Sequence, residues 1–192
     1  PGDDDRKFSW DEARQIVLDA FAGFDPSMAE IAKPFFSNNW IDAAPRAGKS
    51  SGAFSHPVVP SAHPYILMNF AGKSRDVMTL AHEMGHGIHQ SLAAGQGYLM
   101  SDTPLTLAET ASVFAEMLTF RHLLDSQKDA TARCYLLAGK VEDMLNTVVR
   151  QVAFHNFETQ FHDRRSAGEL TADEIADIWM ETQCAALGPA IK

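Results

Sequence analysis

The stretch 79-TLAHEMGHGIHQ-90 decides how this chain is read. His82 and His86 stand four residues apart, with Glu83 directly after the first. Residues four apart share one face of an α-helix, so both imidazoles can reach a single ion. Glu83 lies just around the helix, near enough to reach a metal-bound water without being a ligand itself. The flanks Thr79, Leu80, Met84, Gly85, Gly87 and Ile88 are all uncharged. That fits a buried helix with its site in a dry wall, because a solvated helix carries charge on most faces.

A catalytic zinc takes three protein ligands and keeps a fourth position for water. A third group is therefore needed. The downstream segment 104-PLTLAETASVFAEMLTF-120 offers Glu109 and Glu116, both in an otherwise uncharged stretch. A carboxylate placed inward there is costly unless it is paired or bound to a metal. Glu109 follows His86 by 23 residues, enough to finish one helix, turn and return beside it. Glu109 is the favoured third ligand, with Glu116 or Asp102 as the alternatives. Ser112 and Glu116 lie near the Glu109 stripe, one and two turns on, where they can hydrogen-bond to ligands. His89 shares the ligand face beyond His86. It reads as a supporting or core histidine, since a fourth ligand would displace the water.

The rest of the chain reads as mainly helical with one small β element. Segment 8-FSWDEARQIVLDAFAGF-24 opens with Ser9 and Glu12 at capping-box spacing, and Ile16, Val17, Ala20 and Phe21 recur with helical period. Segment 25-DPSMAEIAKPFF-36 restarts a helix with Asp25 as cap and Pro26 in its first turn, and should bend or end near Pro34. Residues 38–70 differ in texture: 48-GKSSGAFS-55 and 65-YILMNF-70 read as strands split by the Pro-rich 56-HPVVPSAHP-64. Helices return from Asp76, covering about 76–94, 103–125 and 126–164, and the last starts at a Thr171–Glu174 capping box. Phe154, Phe157 and Phe161 recur at helical spacing and read as core.

The strand around Gly52, Ala53 and Phe54 is a candidate for pairing with an extended peptide, because its small residues let another backbone approach. His63, in the loop, is a candidate for touching such a substrate.

The chain has 192 residues, a net charge of -9 and 45% hydrophobic residues. Its length suits one domain with its own core, and its composition is that of a soluble globular protein. The acidic balance argues against nucleic-acid binding, which needs a basic face. No apolar run approaches a membrane span, and the opening does not read as a secretory leader. Cys134 and Cys184 lack metal or redox spacing and read as reduced core thiols of a cytoplasmic protein. Both ends look cut, so a piece of something longer is expected.

Together, 81-AHEMGHGIHQ-90, 108-AETASVFAEML-118 and the preceding 48-GKSSGAFS-55 and 63-HPYILMNF-70 resemble the oligoendopeptidase F branch of the M3 zinc metallopeptidases. The resemblance covers the chain from about Phe8 onward. It implies a mainly α, zincin-like metallopeptidase core with one small β element. It also implies one zinc held by His82, His86 and Glu109, with Glu83 as general base, and short peptides as substrate. The family places a histidine and tyrosines for the reacting carbonyl oxygen in a later segment, whereas residues 165–192 contain neither His nor Tyr. The expectation is therefore residues 1–192 as part of the catalytic domain of a longer peptidase. Within it, 1–7 would be a disordered end, 38–70 the β element, 76–125 the zinc-binding helix pair and 126–192 the C-terminal helices. Turnover by this piece alone would be slow or absent. The alternative is a zinc-binding module without catalysis.

Overall fold

A computed structural model describes residues 6–188 of the chain. The expected disordered opening falls outside the described residues for 1–5. The described part divides into two compact units, residues 6–133 and 134–188.

The first unit is built from its helix starts inward. Helix α1 (Trp10–Phe24) opens on a capping box in which the Ser9 hydroxyl accepts from the Glu12 N–H while the Glu12 carboxylate accepts from the Ser9 N–H. Two of the helix's orphan donors are thereby satisfied. Helix α2 (Pro26–Ser37) starts on the Asp25 carboxylate and runs through Pro34 for three more residues before it ends. Three short strands follow: β1 (Ile41–Asp42), β2 (Phe54–His56) and β3 (Tyr65–Leu67). Their order is β1-β3-β2, with β1 parallel and β2 antiparallel to β3, so β2 lies at an edge. Ile66 faces Ile41 on one side and Ser55 on the other.

Helix α3 (Ser74–Ala93), with a 3₁₀ turn at Ala94–Gln96, crosses the unit and α4 (Leu105–Ser126) packs along it. The buried apolar side chains of α3 include Val77, Leu80, Ala81, Met84 and Ile88, a helical stripe that meets Phe21, Phe35, Ile66 and Met68 in one core. The start of α3 is fixed by Asp76, whose carboxylate accepts from the backbone N–H groups of Ala71 and Lys73.

The segment between β1 and β2 has little apolar material and is held by charge. The Lys49 side chain is 2% exposed, and its ammonium donates to the Asp42 and Ala44 carbonyls and to the Asp42 carboxylate at 2.9, 3.1 and 3.1 Å. Arg46 grips the same carboxylate with two bonds of 2.7 Å. These cations hold the Asp42 carboxyl far below the ordinary range, the Arg46 hydrogen bonds contributing most. Asn69 completes the loop by donating to the Ser50 and Gly52 carbonyls. Losing a charged hydrogen-bond donor costs about 1.5–3 kcal/mol. Lys49→Met is expected to lower stability in urea unfolding by about 2 kcal/mol. Arg46→Met, at an exposed pair, should cost clearly less.

In the second unit α5 (Ala130–Ala167), whose first turn precedes the boundary, is followed by α6 (Ala172–Leu187), which opens on the Thr171–Glu174 capping box. The expectation that Phe154, Phe157 and Phe161 are core is corrected here: all three are half-buried. Phe154 stacks against Trp179 of α6 at 5.7 Å, Phe157 meets the same indole edge-on at 5.2 Å, and Phe157 stacks on Phe161. A pair of helices offers one seam, so periodic aromatics cover it without being enclosed. Cys134 is exposed, which corrects its reading as a core thiol, while Cys184 is partly buried and neither is in a disulfide. Among the described residues, no helix is long and apolar enough to cross a membrane.

Candidate metal centre

The local fold supplies two imidazoles and the helix pairing supplies a carboxylate. His82 and His86 sit one turn apart on α3, their rings 5.0 Å apart and nearly perpendicular. Glu109 comes from the first turns of α4. Its Oε2 lies 3.2 Å from His82 Nε2 and 3.6 Å from His86 Nε2. Two donors on one tetrahedral zinc, each about 2.1 Å from it, stand roughly 3.4 Å apart. The donor set therefore fits a zinc-sized ion, and His82, His86 and Glu109 form a group that could hold one. The Glu109 side chain is 49% exposed, so one side of the group is open.

Two further residues touch these donors. Glu116, two turns along α4, has Oε2 3.2 Å from His82 Nδ1. A proton on Nδ1 leaves Nε2 with its lone pair toward Glu109. The buried Ser112 donates its hydroxyl to Glu109 Oε2 at 2.6 Å and lies 3.1 Å from the Glu109 carbonyl. Removing such supporting groups weakens metal binding about 10–100-fold. Glu116→Gln is expected to weaken zinc by about that factor in chelator competition, with the unfolding midpoint of the metal-free chain little changed.

Glu83 is 6% exposed. Burial pushes its carboxyl up to about 7, with His82 pulling it down and Glu109 adding to the rise. Burial also acts on both histidines. His86 is held below its ordinary value by it, against the pull of Glu109. At His82 the burial is outweighed by the Glu116 hydrogen bond and by the carboxylates of Glu83 and Glu109, so that imidazole is raised. His89 is half-buried and is not in the three-residue group.

The residues proposed for substrate divide. Gly52 adopts φ +91°, a left-handed conformation that suits glycine, and leads into β2. Ala53 packs on the core, and Phe54 on the edge strand is half exposed. His63 lies elsewhere, stacked on Trp40. Asp102, the alternative third ligand, is in the loop before α4 and outside the group.

Gly85 is the residue that sequence reasoning passed over. A Cβ there would come within 2.7 Å of the Ala111 carbonyl, 2.8 Å of Ser112 Cα and 2.8 Å of Ala115 Cβ. Its lack of a side chain lets α4 lie against α3 between His82 and His86. The signal was available: glycine inside a strongly helical pattern is unfavourable and usually has a packing reason.

With this geometry in place, comparison with known proteins adds the family. The model of peptidase family M3 matches residues 25–192. The oligopeptidase PepF of Bacillus subtilis is 32% identical over 177 residues, 91% of this chain and 26% of that protein. The chromosomal oligoendopeptidase F of Lactococcus lactis subsp. cremoris is 33% identical over 172 residues, 89% of this chain and 28% of its own length. Among solved structures, PZ peptidase A with an inhibitor superimposes with a TM-score of 0.76 at 19% identity, covering 93% of this chain and 31% of that one. The chain thus spans between a quarter and a third of the length of these proteins.

Proposed function

The chain belongs to peptidase family M3, and from that premise we propose that it carries the metal site and general base of a zinc-dependent oligopeptidase cleaving short peptides. The observation that carries this reading is the approach of Glu109 Oε2 to both Nε2 atoms, 3.2 and 3.6 Å, beside a buried Glu83. Two imidazoles and one carboxylate are a donor set that suits zinc.

His82, His86 and Glu109 would hold the zinc, which would supply Lewis acidity to activate water and to polarise a peptide carbonyl. Glu83 takes the proton of the attacking water on a carboxylate oxygen and returns it to the leaving amine nitrogen. Glu116 fixes the His82 ring through Nδ1, and Ser112 fixes the Glu109 carboxylate, so the donors stay aimed at one point. A cytoplasmic location belongs to the same reading, supported by two unbridged cysteines.

A second reading, a zinc-binding module with little or no turnover of its own, is favoured by the share of the relatives that the chain spans, 26% and 28% in the two named. Donors for the oxyanion would then come from elsewhere in a longer protein. Glu83 argues against a purely structural zinc site, which fills all four positions with ligands and has no use for a base.

Both readings are tested by zinc content and cleavage of a quenched short peptide, on the chain and on Glu83→Gln. One zinc per chain, with turnover lost in the variant, supports the peptidase reading for the chain itself. One zinc and no turnover in either supports the module reading. Absence of zinc binding overturns both.

A further inference from the structure

A second feature of the first unit lies at the carboxyl end of α3: a cleft of about 680 Å³ between the end of α2, the loop 57–64 and the turn after α3. That volume is in the range of ligand pockets. One wall is the indole of Trp40 stacked face to face on the His63 imidazole, with centroids 3.6 Å apart and planes 6° apart. Val58 and Val59 come from the loop, and the 87%-exposed Leu99 also lines it. Val58 is held at φ +62°, a conformation costly for a β-branched residue, and its N–H donates to His56 Nδ1 at 3.0 Å. The lining contains one carboxylate, Asp102, and no lysine or arginine among the described residues. It is a surface for an apolar group.

Gln90 connects this cleft to the metal centre. It lines the cleft, accepts from the Ser55 hydroxyl at 2.8 Å and donates to the Ser55 carbonyl at 3.2 Å. It follows His86 by one helical turn, about 6 Å along the axis. Strand β2 leads directly into the loop that walls the cleft, so its carboxyl end points toward the cleft. A peptide added antiparallel to the free edge of β2 runs the opposite way. Its amino end then enters the cleft while a later bond reaches His82, His86 and Glu109. At about 3.3 Å per extended residue, 6 Å is roughly two residues.

We infer that this cleft binds a bulky apolar side chain of the peptide, two to three residues to the amino side of the bond that is cut. The inference rests on the peptidase reading for the peptide's course, but the cleft can be tested without the metal.

The probes are hexapeptides of alanine and glycine carrying Leu, Phe, Asp or Gly at that position, and a matched set with the variable residue on the carboxyl side. Binding to the metal-free chain is followed by the indole N–H resonance of Trp40, assigned against Trp40→Phe. The Leu and Phe peptides of the first set are expected to move that resonance and to bind about tenfold or more tightly than the Asp and Gly peptides. Val59→Asp, at a half-exposed position, is expected to erase the difference while zinc affinity and circular dichroism stay unchanged. An unmoved Trp40 resonance, equal binding of all four peptides, a difference that survives Val59→Asp, or a preference only in the carboxyl-side set overturns the inference. Zinc binding measured in parallel shows separately whether the metal reading fails.

Discussion

Replacing His86 with alanine is expected to weaken zinc binding by about a hundredfold or more and to abolish any turnover with it. Zinc bound by four protein groups gains about 10–16 kcal/mol at neutral pH, which is roughly 3 kcal/mol for each ligand, and each 1.4 kcal/mol is tenfold in affinity. Apart from His82, already in the group, α3 carries one further imidazole, His89, and among the described residues it is not part of the group that shares an ion-sized space with Glu109. Competition against a chromophoric chelator measures the loss. An affinity within threefold of the parent would show that the ion, if bound, sits elsewhere. His86 is partly buried but makes its contact through Nε2 toward the open side, so the metal-free variant is expected to unfold close to the parent midpoint. The loss can then be read as a loss of ligation rather than of fold.

The second large effect is on stability, and its sign is the informative part. Gly85→Ala is expected to destabilise the metal-free chain by about 1–3 kcal/mol in urea unfolding, the usual cost of forcing atoms into a filled core. In an open helix the same change stabilises by up to about 1 kcal/mol. The reversal follows from the contacts a Cβ would make: the nearest are the Ala111 carbonyl and Ser112 Cα, both backbone atoms of α4 that no rotamer change can move aside. α3 and α4 must separate. Because Glu109 rides on α4 and the histidines on α3, zinc affinity is expected to fall about tenfold along with the stability. Gly139→Ala is the control, since a Cβ there meets nothing within 4 Å. It should raise stability slightly and leave zinc binding unchanged. Equal effects at the two glycines would disprove the close-packing account.

The readings that match the structure are those set by near neighbours in the chain. The capping boxes at Ser9–Glu12 and Thr171–Glu174, and the Asp25 cap before Pro26, each involve atoms within three residues of one another. The uncharged flanks of the histidine motif likewise lie on the buried side of α3, with Leu80, Met84, Gly85, Gly87 and Ile88 all enclosed. The readings that miss depend on what arrives from elsewhere. Strand β1 is two residues long, too short for any alternation to show, and exists because Ile41 and Asp42 lie parallel to β3 some 25 residues later. Phe154, Phe157 and Phe161 carry the period of a core helix, yet α6 covers only their seam. The burial of the Lys49 ammonium is likewise a tertiary matter, since the loop folds three oxygens around it.

The same division runs through the candidate site. The sequence by itself determines that two imidazoles share a helix face with an acid beside the first, because a four-residue spacing on an α-helix leaves no other arrangement. It also narrows the third donor to a short set of carboxylates. Only the tertiary structure decides among them. Glu109, Glu116 and Asp102 are all within reach along the chain, and what separates them is how closely α4 approaches α3 and at which register. That approach is set at Gly85, where backbone meets backbone. It brings Glu109 to the Nε2 atoms, sends Glu116 to the far nitrogen of His82 and leaves Asp102 outside the group. Spacing along one helix is fixed by covalent geometry; distance between two helices is fixed by packing, which no pattern within either helix records.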